Sequence, residues 1–351
     1  MKILITGGAG YIGSHTCVAL LNHGIEIVVV DNLKNSKIDS IHRIREITGR
    51  EFPFYEIDLL DDYSLELVFK KEKIDAVIHF AGYKSVGESV GFPLEYYYNN
   101  INGTLLLCQL MRKYNVKNLV FSSSAAVYSA SEGKPISEEC QLGPSNPYGR
   151  TKWMMEEILQ DLYVSDPEWS ISLLRYFNPI GAHPSGRIGD NPSQTPANLM
   201  PYITGVASGA LEELLIYGGD YPTPDGTGVR DYIHIVDLAN GHLKAIERVM
   251  TKTGVDVFNL GTGRGYSVLE VVSAFEKVSG LKIPYKIVSR RPGDIAICYA
   301  DTSKAREQLN WVAAKGIEEM CADAWHWQRN NQVKYEQDQD IPFIESALKN
   351  E

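Results

Sequence analysis

Short apolar runs rich in β-branched residues recur along the first half of the chain: "KILIT" (2–6), "IEIVVV" (25–30), "DAVIHF" (75–80), "NLVFSS" (118–123) and "SISLLRY" (170–176). Amphipathic stretches of helical length separate them. Runs apolar at successive positions predict strands buried on both faces, and intervening helices predict a parallel sheet covered on both sides. Right-handed crossovers then give a doubly wound α/β fold of the Rossmann type.

Beyond residue 177 the pattern changes. Gly, Pro and Asn crowd residues 178–198 and 218–228, the composition of long ordered loops. Helical periodicity predicts helices at about 199–209, 235–250, 267–279, 302–310 and 316–329. One late run, "DVFNLGTG" (256–263), again reads as a buried strand and is expected to return to the sheet. The expected organisation is a nucleotide-binding unit over 1–177, rejoined by about 232–262, and a smaller mixed α/β unit over 178–351 for the substrate. The last twenty residues are polar and predict no element.

Composition narrows the partners. Hydrophobic residues are 44% and charged residues 22% of 351, ordinary for a globular protein. A net charge of −10 argues against nucleic acid or an anionic membrane surface as the main partner. The five cysteines (Cys17, Cys108, Cys140, Cys298, Cys321) are odd in number and scattered without a C-x-x-C pair, which suits a reducing cytoplasm. The histidines form neither H-E-x-x-H nor a Cys/His cluster, so no metal site is expected. "MKILITGG" runs as a strand straight into a turn and carries no signal-peptide or membrane-span pattern, so a cytoplasmic location is expected.

Two motifs carry chemistry. "TGGAGYIGSH" (6–15) joins the first strand to a helix and sets Gly7, Gly10 and Gly13 at G-x-x-G-x-x-G spacing. The first permits a tight turn, the second lets a pyrophosphate approach the backbone, and the third lets helix and strand pack closely. The helix N-terminus offers free N–H groups to phosphate. A second strand ends in Asp31, eighteen residues beyond Gly13, placed to accept from adenosine ribose hydroxyls and to repel a 2′-phosphate. This favours NAD over NADP.

The second motif is "NPYGRTK" (146–152). Asn146 is a candidate N-cap, Pro147 suits the first helical position, and Tyr148 and Lys152 share one face a turn apart. A phenol and an ammonium both titrate near ~10 when free; together, the ammonium favours the phenolate. Alone, this spacing more often belongs to a capped, exposed surface helix.

Two further segments decide between these readings: "HFAGYKSVGES" (79–89) and "FSSSAAVY" (121–128), together with "NPYGRTK", resemble the extended short-chain dehydrogenase/reductases. Downstream, "LRYFNPIGAHPSG" (174–186), "NLMPYI" (198–203), "DYPTPDGTGVRDYIHIVDLA" (220–239) and "RRPGDIAICYAD" (290–301) resemble the UDP-glucose (UDP-galactose) 4-epimerases within that family. The resemblance runs from residue 1 to about 330.

By resemblance, Tyr148 is the catalytic base, Ser124 a hydroxyl that bonds near the reacting sugar oxygen, and Lys152 a ligand of the nicotinamide ribose that holds the tyrosine's pKa down. Lowering a phenol by ~3 units corresponds to about 4 kcal/mol. The resemblance places Gly7, Gly10, Tyr11, Ile12 and Gly13 at the pyrophosphate and Asp31, Asn32, Asn35 and Ser36 around the adenosine ribose. Asp58 and Leu59 lie near adenine, Phe80, Ala81, Gly82 and Lys84 line the next strand end, and Asn99 and Phe177 complete the cofactor set. For a UDP-sugar it implies Lys84, Ser124, Tyr148, Asn178, Asn198, Leu199, Ile216, Tyr217, Arg230, Arg291, Asp294 and Cys298. Two arginines converging on a diphosphate suit guanidinium geometry. In "RDYIHIVD" His234 reads as structural and Asp237 as the cap of the next helix. Where many relatives carry a hydroxyl, this chain has Ala126, a loss worth ~1 kcal/mol of hydrogen bonding in the sugar pocket.

The implied activity is C4 epimerisation of UDP-hexoses, an isomerase reaction with tightly held NAD and a transient 4-ketose. A homodimer is also implied. A small residue at Cys298, where relatives restricted to UDP-glucose and UDP-galactose tend to carry tyrosine, implies room for N-acetylated sugars as well. Other readings of the same fold are a nucleotide-sugar 4,6-dehydratase, for which Ala125-Ala126 offers no acid pair, a UDP-glucuronate epimerase, and a non-catalytic NAD-sensing protein.

Overall fold

The structure, a computed structural model, describes residues 1–129, 133–192, 196, 198–291 and 294–331; the last twenty residues therefore lie outside the described residues. Five strands coincide with the apolar runs: β1 (Lys2–Thr6), β2 (Glu26–Asp31), β4 (Ala76–His79), β5 (Asn118–Ser122) and β6 (Ser170–Tyr176). Their side chains alternate between two cores. Ile3, Ile5, Ile27 and Val29 pack on one face of the sheet, while Leu4, Val28 and Val30 pack on the other.

β3 (Phe54–Glu56) joins them at the edge beside β2 and was not predicted, because three residues after a proline carry no readable period. The late apolar run forms β10 (Gly254–Leu260), parallel to β6 at the opposite edge. The seven strands lie in the order β10-β6-β5-β4-β1-β2-β3, all parallel. Strand order reverses between β1 and β4, with β2 and β3 added on one side of β1 and β4, β5 and β6 on the other, so the crevice for a ligand opens over their carboxyl ends.

Helices α1 (Tyr11–Asn22), α2 (Asp39–Thr48), α3 (Asp62–Lys71), α4 (Val86–Gly91), α5 (Pro93–Lys113) and α6 (Pro147–Ser165) connect the first six strands. The remainder interleaves β7 (Asn178–Ile180), α7 (Leu199–Ala207), β8 (Leu214–Tyr217), β9 (Val229–His234) and α8 (Ile235–Val249). After β10 come β11 (Gly265–Ser267), α9 (Val268–Ser279), β12 (Tyr285–Val288), β13 (Ile297–Cys298), α10 (Ser303–Leu309) and α11 (Ile317–Asn331).

β9 is the centre of a small mixed sheet, antiparallel to β11 and parallel to β13 and β7. A separate core of Met200, Ile203, Ile216, Phe275 and Met320 supports it. α9 starts with a capping box, Ser267 and Glu270 each bonding the other's backbone N–H. At α8 the expected cap is corrected. His234 is the N-cap, its Nδ1 accepting from Val236 N at 3.0 Å, while Asp237 sits inside the first turn and accepts from Ala314 N and Lys315 N at 2.9 Å each. Among the described residues no helix is long and apolar enough to cross a membrane.

Candidate active site

The glycine loop is built by its neighbours. Gly7 has φ +72°, and a Cβ there would lie 2.7 Å from Ala81 N. A Cβ on Gly13 would collide with the Gly7 carbonyl. Gly10 is the N-cap of α1 and supplies no side-chain cap, leaving the helix entrance open to a phosphate. Asp31, 8% exposed at the end of β2, accepts from Ala9 N at 3.0 Å, Leu33 N at 2.9 Å and Ser36 Oγ at 2.9 Å. This bare backbone cradle with an anchored carboxylate at its far side fits a dinucleotide.

Except for Ser124 and Phe177, every residue expected at the cofactor lines one cleft over the strand ends. Phe177 instead packs behind it with Val127, Tyr128, Ile136 and Ala300. Tyr83, Ser122 and Tyr176 also line the cleft and were not predicted. Asn100, one residue past Asn99, was missed too. Its Oδ1 accepts from Tyr83 N at 2.7 Å and its Nδ2 donates to Thr151 Oγ1 at 3.1 Å, tying the Gly82 turn to α6. The only sequence signal was a polar pair, Asn99-Asn100, inside a long helix.

α6 begins as its sequence indicates: Asn146 Oδ1 accepts from Gly149 N at 2.8 Å, and Pro147 is the first helical residue. The surface-helix alternative fails, since Tyr148 is 7% and Lys152 5% exposed. Lys152 Nζ donates to Ser122 O at 2.7 Å and lies 4.9 Å from the centroid of the Phe121 ring. Ser124 follows β5 by two residues; its Oγ accepts from Ala126 N at 3.1 Å, and its hydroxyl favours the Tyr148 phenolate.

The expected electrostatics need correction. In the protein itself burial is the larger influence on Tyr148 and raises its pKa, with the Ser124 hydrogen bond pulling the other way. Lys152 is lowered to about 8 by burial, partly opposed by Glu156. Desolvation outweighs the attraction between the two groups that the spacing predicts.

Of the candidate sugar-nucleotide residues, Arg230, Arg291, Asp294 and Tyr217 meet one another. Arg291 Nε meets Asp294 Oδ2 at 3.0 Å and Arg230 Nη2 meets Oδ1 at 3.8 Å. The Arg291 guanidinium lies 4.8 Å from the centroid of the Tyr217 ring. Cys298 pairs in register with Arg230 and packs against the cluster of Val127 and Phe177, next to the Ser124 turn. Burial pushes its thiol up to about 11. Asn198 and Leu199 begin α7, and Asn178 begins β7 with its side chain exposed. Ile216 is buried in the small core, one residue before Tyr217.

A doubly wound sheet, a glycine cradle and a buried Tyr148/Lys152 pair in one cleft define a dinucleotide-dependent class of enzyme, and the sequence pattern of the NAD dependent epimerase/dehydratase family matches residues 3–261. The chain belongs to that family. It is 62% identical over 331 residues to a UDP-glucose 4-epimerase of Bacillus subtilis, covering 94% of this chain and 98% of that protein. A crystal structure of UDP-glucose 4-epimerase from Bifidobacterium longum, in complex with NAD+ and UDP, superposes with TM-score 0.93 at 53% identity, covering 95% of this chain and all of that one. The UDP-Glc/GlcNAc 4-epimerase of Campylobacter jejuni is similar as well, with TM-score 0.82 and 39% identity over 94% of this chain and 99% of that one.

Proposed function

We propose that the protein is an NAD-dependent epimerase that inverts C4 of UDP-hexoses. The observation that carries this reading is the buried Tyr148 and Lys152 pair in the cleft of the glycine cradle, with the half-buried Ser124 beside the phenol, in a chain similar to UDP-glucose 4-epimerases over nearly its full length. Residues 1–177, rejoined by about 232–262, serve as the cofactor unit, and the rest from 178 as the sugar-nucleotide unit.

When bound, NAD supplies reversible oxidation at the sugar's C4, with no net redox over a turnover. The chain's own residues bind, orient and move the proton. Gly7, Gly10 and Gly13 receive the pyrophosphate, and Asp31 accepts from a ribose hydroxyl. Tyr148 Oη takes the 4-hydroxyl proton and returns it, with Ser124 as its hydrogen-bond partner. Lys152 binds the nicotinamide ribose. Arg230 and Arg291, paired with Asp294 in the protein, turn their guanidinium groups to the substrate diphosphate.

Cys298 leaves the wall beside Val127 and Phe177 with room that a phenol would fill. On this basis the enzyme accepts UDP-N-acetylglucosamine and UDP-N-acetylgalactosamine in addition to UDP-glucose and UDP-galactose. The protein acts in the cytoplasm, as its five free thiols suggest, and forms a homodimer. An apolar stripe supports the dimer: Leu94, Tyr98 and Leu105 are exposed on α5, which packs on α6.

The test is to incubate purified protein with UDP-galactose and follow UDP-glucose by NMR. Interconversion without added oxidant is expected, and a substrate that stays unchanged refutes the reading.

A further inference from the structure

A buried ion pair lies beneath the Ser124/Tyr148/Lys152 cluster, and no role given above uses it. Tyr148, Lys152 and Glu156 are spaced four residues apart and share one face of α6. Glu156 is fully buried and Arg175 of β6 is 4% exposed. Arg175 Nη2 donates to Glu156 Oε2 at 2.5 Å, and its Nε to Oε1 and Oε2 at 3.0 and 3.2 Å. Ser123, the residue before Ser124, donates its hydroxyl to Glu156 Oε1.

The chain of contacts continues away from α6. Arg175 Nη1 donates to the Tyr128 hydroxyl at 3.1 Å, and Tyr128 donates to Asn259 Oδ1 at 2.6 Å. Asn259 Nδ2 donates to Ile136 O at 2.7 Å, and Ile136 N donates to Tyr299 O at 2.9 Å, beside Cys298. One polar path therefore runs from the Tyr/Lys helix, under the Ser124 turn, to the strand that carries Cys298.

Stability alone does not call for this arrangement. Apolar side chains of similar volume commonly replace a buried ion pair without loss. What they could not do is bond the strand end at Ser123 or set an anion one turn from a buried ammonium.

We propose that Glu156, held by Arg175 and Ser123, is a positioning residue for the Ser124–Tyr148–Lys152 cluster, fixing the Ser124 turn against α6 and supporting the charge of Lys152. This rests on reading that cluster as the epimerisation centre. The groups around Lys152 are consistent with it. From α6 come Tyr148 and Glu156; from β6, Arg175 and Tyr176. β5 gives the Phe121 ring and Ser122 O, and β4 gives His79, which burial holds neutral at about 3. α5 presents the neutral Asn100 and Thr104 to α6. Glu88 of α4 is engaged by Tyr96, and Asp256 of β10 by Arg248. Beyond the pair, the Tyr128 hydroxyl and the Glu138 backbone carbonyl accept from Arg175, while the Glu138 carboxylate accepts from Asn259 N. Glu156 is the carboxylate that raises Lys152 against the pull of burial.

The charge is tested without substrate. Lysine labelled with 13C at Cε reports each ammonium by NMR, with the Lys152 resonance assigned by its loss in Lys152→Met. In Glu156→Gln the Lys152 midpoint should fall by about one unit, and the alkaline limb of kcat for UDP-galactose should move down with it while KM changes little. Coincident midpoints in parent and variant overturn the proposal. If Glu156→Gln does not fold, Ser123→Ala removes the strand-end bond and leaves the ion pair. Its kcat should fall about tenfold while Tm drops by only a few degrees, and a kcat equal to the parent's overturns the positioning role. A parent protein that does not epimerise UDP-galactose would refute the epimerase reading, and the NMR titration would still decide this one.

Discussion

Asp31→Ala removes a carboxylate that is 8% exposed and already accepts three hydrogen bonds, from Ala9 N, Leu33 N and Ser36 Oγ. A carboxylate offers about four acceptor sites, so roughly one remains for a ribose hydroxyl. Two effects of different kind follow. Leaving the Ala9 and Leu33 amides unpaired costs ~1–3 kcal/mol each, which lowers Tm by several degrees. Removing the charge abolishes repulsion of a 2′-phosphate. Two unit charges ~4 Å apart near a protein surface interact by about 4 kcal/mol, or about three decades in affinity. The parent should thus prefer NAD over NADP by roughly a thousandfold at low salt, and Asp31→Ala should bring the two within about tenfold. The assay is fluorescence titration with each dinucleotide, beside thermal unfolding. Asp31→Asn separates the effects, because it keeps an acceptor oxygen and loses the charge: discrimination should collapse while Tm falls less. If Asp31→Ala excludes NADP as firmly as the parent, the carboxylate's charge does not set the preference.

Tyr148→Phe should keep NAD binding and lose ~10²–10⁴ in kcat for UDP-galactose; a variant within a few-fold of the parent removes the phenol from its role. Gly13→Ala drives a Cβ into the Gly7 carbonyl, so stability should fall by ~1–3 kcal/mol and the rise in Tm on adding NAD should shrink, with an undiminished rise counting against the cradle. Cys298→Tyr should cut kcat/KM for UDP-N-acetylglucosamine by about five- to a hundredfold, the equivalent of ~1–3 kcal/mol of overpacking, and largely spare UDP-galactose. Equal loss of both activities would refute a size filter at this position.

Features determined locally were legible in the sequence. β1, β2, β4, β5 and β6 are buried on both faces, so their apolar runs stand out without a partner strand. The cap at Asn146 and the positive φ at Gly7 are local features, although the close approach that excludes a side chain at Gly7 comes from the distant Ala81. Long motif strings carried the resemblance, and with it the residues that line the cleft.

What only the tertiary structure decided depends on distant neighbours. β3 is a three-residue edge that exists because β2 offers a partner. His234 caps α8 because Asp237 is drawn to the amides of Ala314 and Lys315, more than seventy residues away. Arg230 and Arg291 lie far apart in sequence and meet only through Asp294. The sign of the Tyr148 shift was set by burial that no spacing reveals: the helix alone would place phenol and ammonium in water, where attraction is the only term. Glu156 and Arg175 read as ordinary charged positions in a helix and a strand until the sheet brings them together beneath Ser124. A sequence carries the periodicity of each element, but the dielectric around a side chain and the identity of its partner come from the packing of all of them.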